Sequence, residues 1–362
     1  MRRPSLFKAP RITMYNLTFT AQNSNPAPVF STDLGVSDSP ESNNFCIFDS
    51  LVITRVFSPK TYVNIKKFKE NDFGDIYYNH ENWLNLKWSR DYNRYQHLTF
   101  EFQMPRALGF TDNLFCEQTQ SDIYEGLGRV NEIASSIVGA DCELAEKGKG
   151  KSVDANRDFA TPNKIEYLEL IKRLEIPRMK KTPYKTGVMF ANQQTQIKVY
   201  DKFEQLSARH PGLPRFKRSF AETYLRIETR LIDDALTRFL DTYLGHTTKT
   251  AGLILTPELA EKIVNLSLCK LEMDARLKSF AEWRELVLEK YRPSVAARYI
   301  AFVEKINRIG INKVRGKSKA TKNRFDHIRR QLRREGLDQL VFATDALPAL
   351  SDQPHDVWDF CD

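Results

Sequence analysis

Three stretches of this chain alternate so strictly that each has one face to bury and one to leave polar. In "YQHLTFEFQMP" (95–105), Leu98, Phe100 and Phe102 take one side and His97, Thr99, Glu101 and Gln103 the other. "TQIKVY" (195–200) sets Ile197 and Val199 against Lys198 and Tyr200. "ETYLRIETRLI" (222–232) sets Leu225 and Ile227 against Arg226, Glu228 and Arg230. Successive strand residues point to opposite faces, so this period specifies a sheet covered on one side only. The cover has its own signature. "SDIYEGLGRVNEIASSIVG" (121–139) carries Ile123, Leu127, Val130, Ala134 and Ile137 at helical spacing and stops at Gly139. "TPNKIEYLELIKRLE" (161–175) opens with Thr and Pro and spaces Ile165, Leu168 and Ile171 as a helix.

The other stretches extend this plan. "NFCIFDSLVITRVF" (44–57) reads as a strand, and "ADCELAE" (140–146) as a short strand with Asp141 and Glu143 on one side. "YKTGVMF" and "TQIKVY" read as a hairpin around residues 191–194. From residue 233 the pattern is helical, with segments near 255–270, 276–290, 294–307 and 318–334. The fold class expected is α+β: a mainly antiparallel sheet with helices on one face, followed by an α-helical C-terminal domain. The domains expected are a flexible N-terminal segment (1–43) rich in Asn, Ser, Pro and Asp, a sheet domain (44–232), a helical domain (233–341) and an acidic flexible tail (342–362).

Charge narrows the partners. Residues 313–334, "KVRGKSKATKNRFDHIRRQLRR", hold four Lys and six Arg against Asp326, a net +9 that equals the excess of the whole chain. One concentrated basic segment in an otherwise balanced protein points to a polyanion, most simply nucleic acid. Within it Phe325, Ile328 and Leu332 form an apolar stripe, and Gly336 stands where a helix C-cap would. Lys322, Arg329, Arg330 and Arg333 are thereby offered to DNA phosphates. No run approaches the roughly 20 apolar residues of a membrane helix, so no membrane role is expected. The five cysteines are scattered without CxxC spacing, which fits a reducing, cytosolic setting.

If the strands share one sheet, its uncovered face gathers Glu101, Asp141, Glu228 and Tyr200. Two or three convergent carboxylates suit Mg²⁺ or Mn²⁺, which take oxygen ligands. A phenol ionises only near pH ~10, so Tyr200 as a nucleophile needs a base or a nearby cation, and Lys198 or Lys202 stands close in sequence. Arg226 and Arg230 are placed to hold phosphate oxygens bidentately. On spacing alone the same row also reads as solvent-facing ion pairs. No Walker A, G-x-S-x-G, HExxH or H-x-H sequence occurs.

These segments together resemble the gene II-type replication initiators of filamentous phages, over roughly residues 44–240 and more weakly near 318–340. "FDSLVITR" is similar to the opening strand of that family. "FEFQMPRALG…NLF" is similar to its Glu-bearing strand and Asn-containing loop, "VYDKFEQL" to its Tyr-x-Lys segment, and "YLRIETRL" to its Arg-x-Glu strand. The resemblance implies a Rep/relaxase-like nuclease domain that nicks the plus strand of double-stranded phage DNA at the origin. Tyr200 would be the nucleophile and Lys202 its phosphate-binding or activating neighbour. A 5′-phosphotyrosine and a 3′-OH primer would result, and the displaced single strand would later be rejoined. It also implies a divalent metal on Glu101, Asp141 and Glu228, a host helicase or replisome as partner, and the bacterial cytoplasm as location. The family's Arg-Ile-Asp signature reads Gly139-Ala140-Asp141 here, which weakens Asp141 as a ligand. The paired metal histidines of the wider superfamily are absent. Gln196 and Glu204 flank Tyr200 at four residues, which favours a single-tyrosine mechanism. The alternative reading is a non-catalytic origin-binding or regulatory protein that keeps the basic helix without the chemistry.

Overall fold

The computed structural model describes residues 46–71, 74–110, 118–209, 222–343 and 345–350. The N-terminal segment, the Asn-bearing part of the loop after residue 110 and most of the acidic tail lie outside them.

Among the described residues, ten strands form one sheet: β1 (Cys46–Phe57), β2 (Lys69–Glu70), β3 (Ile76–His80), β4 (Leu84–Arg90), β5 (Gln96–Gln103), β6 (Lys149–Ala160), β7 (Lys180–Tyr184), β8 (Gly187–Ala191), β9 (Thr195–Asp201) and β10 (Tyr224–Ile232). Their order is β2-β3-β4-β5-β1-β6-β10-β9-β8-β7, and every pairing is antiparallel. The three alternating stretches are β5, β9 and β10. Their apolar residues (Leu98, Phe100, Ile197, Val199, Leu225 and Ile227) are fully buried in one core.

Helices α1 (Met104–Ala107), α2 (Gln120–Val138), α3 (Leu144–Lys147) and α4 (Lys164–Arg173) contribute to that core. α2 starts at a capping box between Thr119 and Asp122 and ends at Gly139 in the left-handed region, the start and stop legible in its sequence. After β9 come α5 (Lys202–Arg209), then α6 (Asp234–Leu244), α7 (Ala251–Ile254) and α8 (Pro257–Leu271). The last three also pack on the sheet, through Leu236, Ile254, Ile263 and Leu268 among others. Thr229 of β10 bonds Ser267 of α8 through their hydroxyls at 2.7 Å, both fully buried.

Helices α9 (Phe280–Lys290), α10 (Pro293–Ile309), α11 (Ile311–Arg315) and α12 (Lys319–Arg334) surround a second core that includes Trp283, Val303, Ile306 and Leu332. The expected stripe of α12, Phe325, Ile328 and Leu332, is buried there, and Gly336 follows at φ +66°. The described start of the acidic tail is held rather than loose. Phe342, Leu347 and Leu350 are buried, Leu347 bridges Leu277 as a short antiparallel pair, and the Tyr167 hydroxyl donates to the Pro348 carbonyl at 2.6 Å. Charge counting alone misses the apolar residues spaced between the acids.

The strand expected at 140–146 does not form. Asp141 accepts from the Glu143 amide at 3.0 Å and from Asn131 Nδ2 at 3.2 Å, and Glu143 turns into the left-handed region at φ +44°. A short carboxylate that bonds the backbone two residues on favours a turn over extended chain. The strand that fills this place in the sheet is β6, "KGKSVDANRDFA", whose Asp and Asn are poor strand formers and hide its alternation.

Candidate active site

The central strands carry a polar face in register. Asp154, Asn156 and Asp158 of β6 stand opposite Arg230, Glu228 and Arg226 of β10, which stand opposite Gln196, Lys198 and Tyr200 of β9. Directly opposed residues point to the same side, so each row is a chain of neighbouring side chains. In the outer rows Arg226 grips Asp158, and Arg230 Nε and Nη2 reach Asp154 at 2.5 and 2.6 Å. In the row between them Lys198 pairs with Glu228.

Tyr200 ends this face. It is 4% exposed, and its hydroxyl donates to Glu228 Oε2 at 3.3 Å. Burial pushes its ionisation well above the ordinary phenol value, Arg226 opposes this, and Glu228 adds to it. The chain turns from strand to helix directly after it. Asp201 accepts from the Glu204 amide at 3.2 Å and pairs with Lys164 at 2.7 Å, pinning the start of α5. Lys202 therefore turns inward as the first residue of that helix, and its ammonium donates to Gln205 Oε1 at 3.1 Å. Burial, reinforced by Arg226, brings Lys202 down to about 7.

Tyr200 and Lys202 open onto a cavity of about 700 Å³, together with Asp49, Glu101, Asp154 and Glu228. Arg106, Phe110, Tyr184, Lys198 and Arg230 contribute further to its wall. Asp49 arrives through a β-bulge. The β1–β6 register breaks between Phe48 and Leu51, so Asp49 and Ser50 face the single residue Asp154. A bulge bends the strand and re-aims its side chains, and no sequence pattern announces it.

Of the residues singled out in the sequence, Tyr200, Lys202, Glu101, Glu228 and Arg230 meet at this cavity. Asp141 does not: it lies in the exposed turn before α3, and Asp154 is the carboxylate that the neighbouring strand supplies. Arg226 is 1% exposed and bound to Asp158, so it braces the sheet where an open phosphate clamp was expected. Arg230 reaches the cavity already engaged by Asp154, whose own ionisation burial raises to about 6. On α12, Lys322 and Arg330 are exposed, whereas Arg329 pairs with Glu272 and Arg333 with Asp338. His97 pairs with Asp91 at 3.2 Å.

The cavity's four carboxylates are hard oxygen donors, the chemistry that Mg²⁺ and Mn²⁺ require. Lys198 holds one and Arg230 another, and among the described residues no three His, Cys, Asp or Glu stand grouped as a metal cage. The cavity carboxylates that could hold such an ion are Glu101 and, in exchange for the partners they already have, Asp49 and Glu228. Among the described residues, no helix is long and apolar enough to cross a membrane.

A search of curated proteins finds no match to this chain. Residues 126–250 match the Phage_CRI family, described as the N-terminal part of a replication-associated protein. That stretch contains Asp154, Tyr200, Lys202 and Glu228, while Asp49 and Glu101 precede it. A match over about a third of the chain, with the buried phenol and its carboxylate and lysine neighbours inside it, supports a filamentous-phage gene II-type replication protein, a phage replication initiator.

Proposed function

We propose that this initiator is a rolling-circle nickase and strand transferase that acts through Tyr200. The proposal extends to a likeness with RstA, the replication protein of the cholera-toxin filamentous phage, which the same segments resemble. The observation that carries the reading is the buried Tyr200 hydroxyl, hydrogen-bonded to Glu228 in a cavity that also holds Lys202.

A phenol held well above its ordinary ionisation stays protonated until substrate arrives, so attack must be coupled to loss of its proton. Lys202, which lines the same cavity and is brought down to about 7, can lose its proton close to physiological pH and is the base assigned to this step. The phenolate oxygen attacks the scissile phosphorus, a P–O bond to Tyr200 forms, and the P–O3′ bond breaks. The 5′ end stays on the enzyme and the 3′-OH is left as primer. Reversal with another 3′-OH seals the strand, and no nucleotide is consumed because one ester replaces another. Arg106 and Lys198 in the wall supply positive charge for the phosphate oxygens. A bound Mg²⁺ or Mn²⁺ would polarise the phosphate and stabilise the leaving 3′-oxygen.

The exposed cations of α12 would hold the duplex origin while the cavity works on the melted strand. A host helicase or replisome would take over at the 3′ end, in the bacterial cytoplasm. Incubation of supercoiled origin DNA with the protein and Mg²⁺ tests this. Relaxed circles and a protein–DNA adduct on a denaturing gel are expected, and both should vanish with EDTA. Binding of the origin without either product would leave the non-catalytic reading.

A further inference from the structure

One cross-strand row holds two phenols. Tyr184 of β7 is opposite Gly187 of β8, Gly187 is opposite Tyr200 of β9, and Tyr200 is opposite Arg226 of β10. Opposed residues share a face. Both tyrosines therefore stand on the cavity side, and both line the cavity. Two strand spacings of about 4.8 Å separate their backbones, with no side chain between them. The gap is required: a Cβ on Gly187 would meet the Val199 carbonyl at 2.2 Å and Tyr200 Cβ at 2.7 Å. Tyr200 lies on the floor at 4% exposure, and Tyr184 lies towards the mouth at 39%. Glu228, which accepts from Tyr200, also acts electrostatically on Tyr184, so both phenols sit in the field of one carboxylate.

We propose that Tyr184 is a second nucleophile, used when Tyr200 already carries DNA. The proposal rests on the nickase reading. Once replication has regenerated the origin, Tyr200 is esterified and cannot cut again. Tyr184 Oη attacks the phosphorus of the new origin copy, and a P–O bond to Tyr184 forms as the P–O3′ bond breaks. The phenol proton passes to the site's base, and the leaving 3′-oxygen takes up a proton. That 3′-OH then attacks the phosphorus held on Tyr200. A P–O3′ bond forms, the bond to Tyr200 breaks, and Tyr200 regains a proton. Two esters break and two form, the displaced circle is closed, and the enzyme remains on the new 5′ end. The wide spacing of the two tyrosines in sequence concealed a pair that strand pairing brings together.

The test uses the full chain and two origin oligonucleotides in sequence. The first has a short upstream arm that diffuses away after cleavage and traps the adduct on Tyr200. The second carries a 3′ label. Wild type is expected to acquire label on the Tyr184 peptide, located by mass spectrometry. Tyr184→Phe keeps the aromatic ring and should form the first adduct but not the second. Label that enters Tyr184→Phe as in wild type, or that in wild type enters first on a residue other than Tyr184, overturns the proposal, because a ring that only stacks on bases is preserved in that variant. Failure of wild type to take label after a normal first adduct overturns it too, and leaves the nickase reading standing. Absence of the first adduct overturns both.

Discussion

At the residue scale, the proposed chemistry is divided between Tyr200 and Lys202. Tyr200→Phe removes one hydroxyl and a 3.3 Å hydrogen bond, so it should cost about 1 kcal/mol of stability at most while abolishing nicking and the covalent adduct. Denaturant titration and an adduct gel on the same preparation check both halves. Lys202 acts as a base only when unprotonated. With its ionisation at about 7, the nicking rate should rise about tenfold per pH unit below 7 and level off above it. Lys202→Arg keeps a fixed charge and should flatten the profile at a much lower rate. Linkage gives the same group a stability signature. Its folded value lies below the ordinary 10.5, so the unfolded chain binds more protons between about pH 7 and 10.5, and this residue makes the protein more stable as pH rises through that window. An unaltered pH–rate profile in Lys202→Arg would assign the proton to another group.

At the scale of elements, two features decide whether the site works. The β8–β9 pairing needs Gly187. Gly187→Ala must push β9 away from β8, at an expected cost of about 1–3 kcal/mol and with loss of nicking far beyond that of a surface mutant. Thermal melting beside initial rates checks the two effects. On α12 the ion pairs sort the cations. Lys322, Arg324, Arg330 and Arg334 are exposed, while Arg329 and Arg333 already hold carboxylates. Replacing the first four by Gln should flatten the slope of log affinity against log salt on duplex DNA by about 2 to 4 units. The double replacement of Arg329 and Arg333 should change it by less than one unit. Origin and non-origin DNA should weaken alike, because phosphate contacts carry little sequence information.

For the whole molecule, two cores imply two separable losses. Trp283 is fully buried in the second core and donates Nε1 to the Leu337 carbonyl at 2.9 Å. Trp283→Ala should cost about 3–5 kcal/mol and lower duplex affinity. Cleavage of a single-stranded origin oligonucleotide should be largely retained, since the cavity is lined by the sheet, α1 and α5 and by none of the second core's residues. Equal loss of both activities would show that the helical group supports the site itself. Chelation separates the metal from the fold: EDTA should stop nicking and leave the melting temperature within a degree or so, because Lys198 and Arg230 already balance two of the four carboxylates.

The sequence by itself determined the sheet's covered face, the helix stops at Gly139 and Gly336, the basic stripe of α12 and the place of Tyr200 on the polar strand face. Each is written in local periodicity or in a residue's own backbone preference, whereas the resemblance to gene II-type initiators is what singled Tyr200 out as a nucleophile. Tertiary structure alone decided what surrounds that phenol. Asp141 was lost to a turn because its carboxylate bonds nearby backbone, and Asp154 replaced it from a strand too polar to be read as one. Asp49 came in through a bulge, Arg226 was buried and withdrawn by Asp158 on the adjacent strand, and Tyr184 was carried beside Tyr200 across a glycine. Each of these outcomes depends on register between strands distant in sequence, and register is set by the packing of a whole sheet rather than by any one stretch of it.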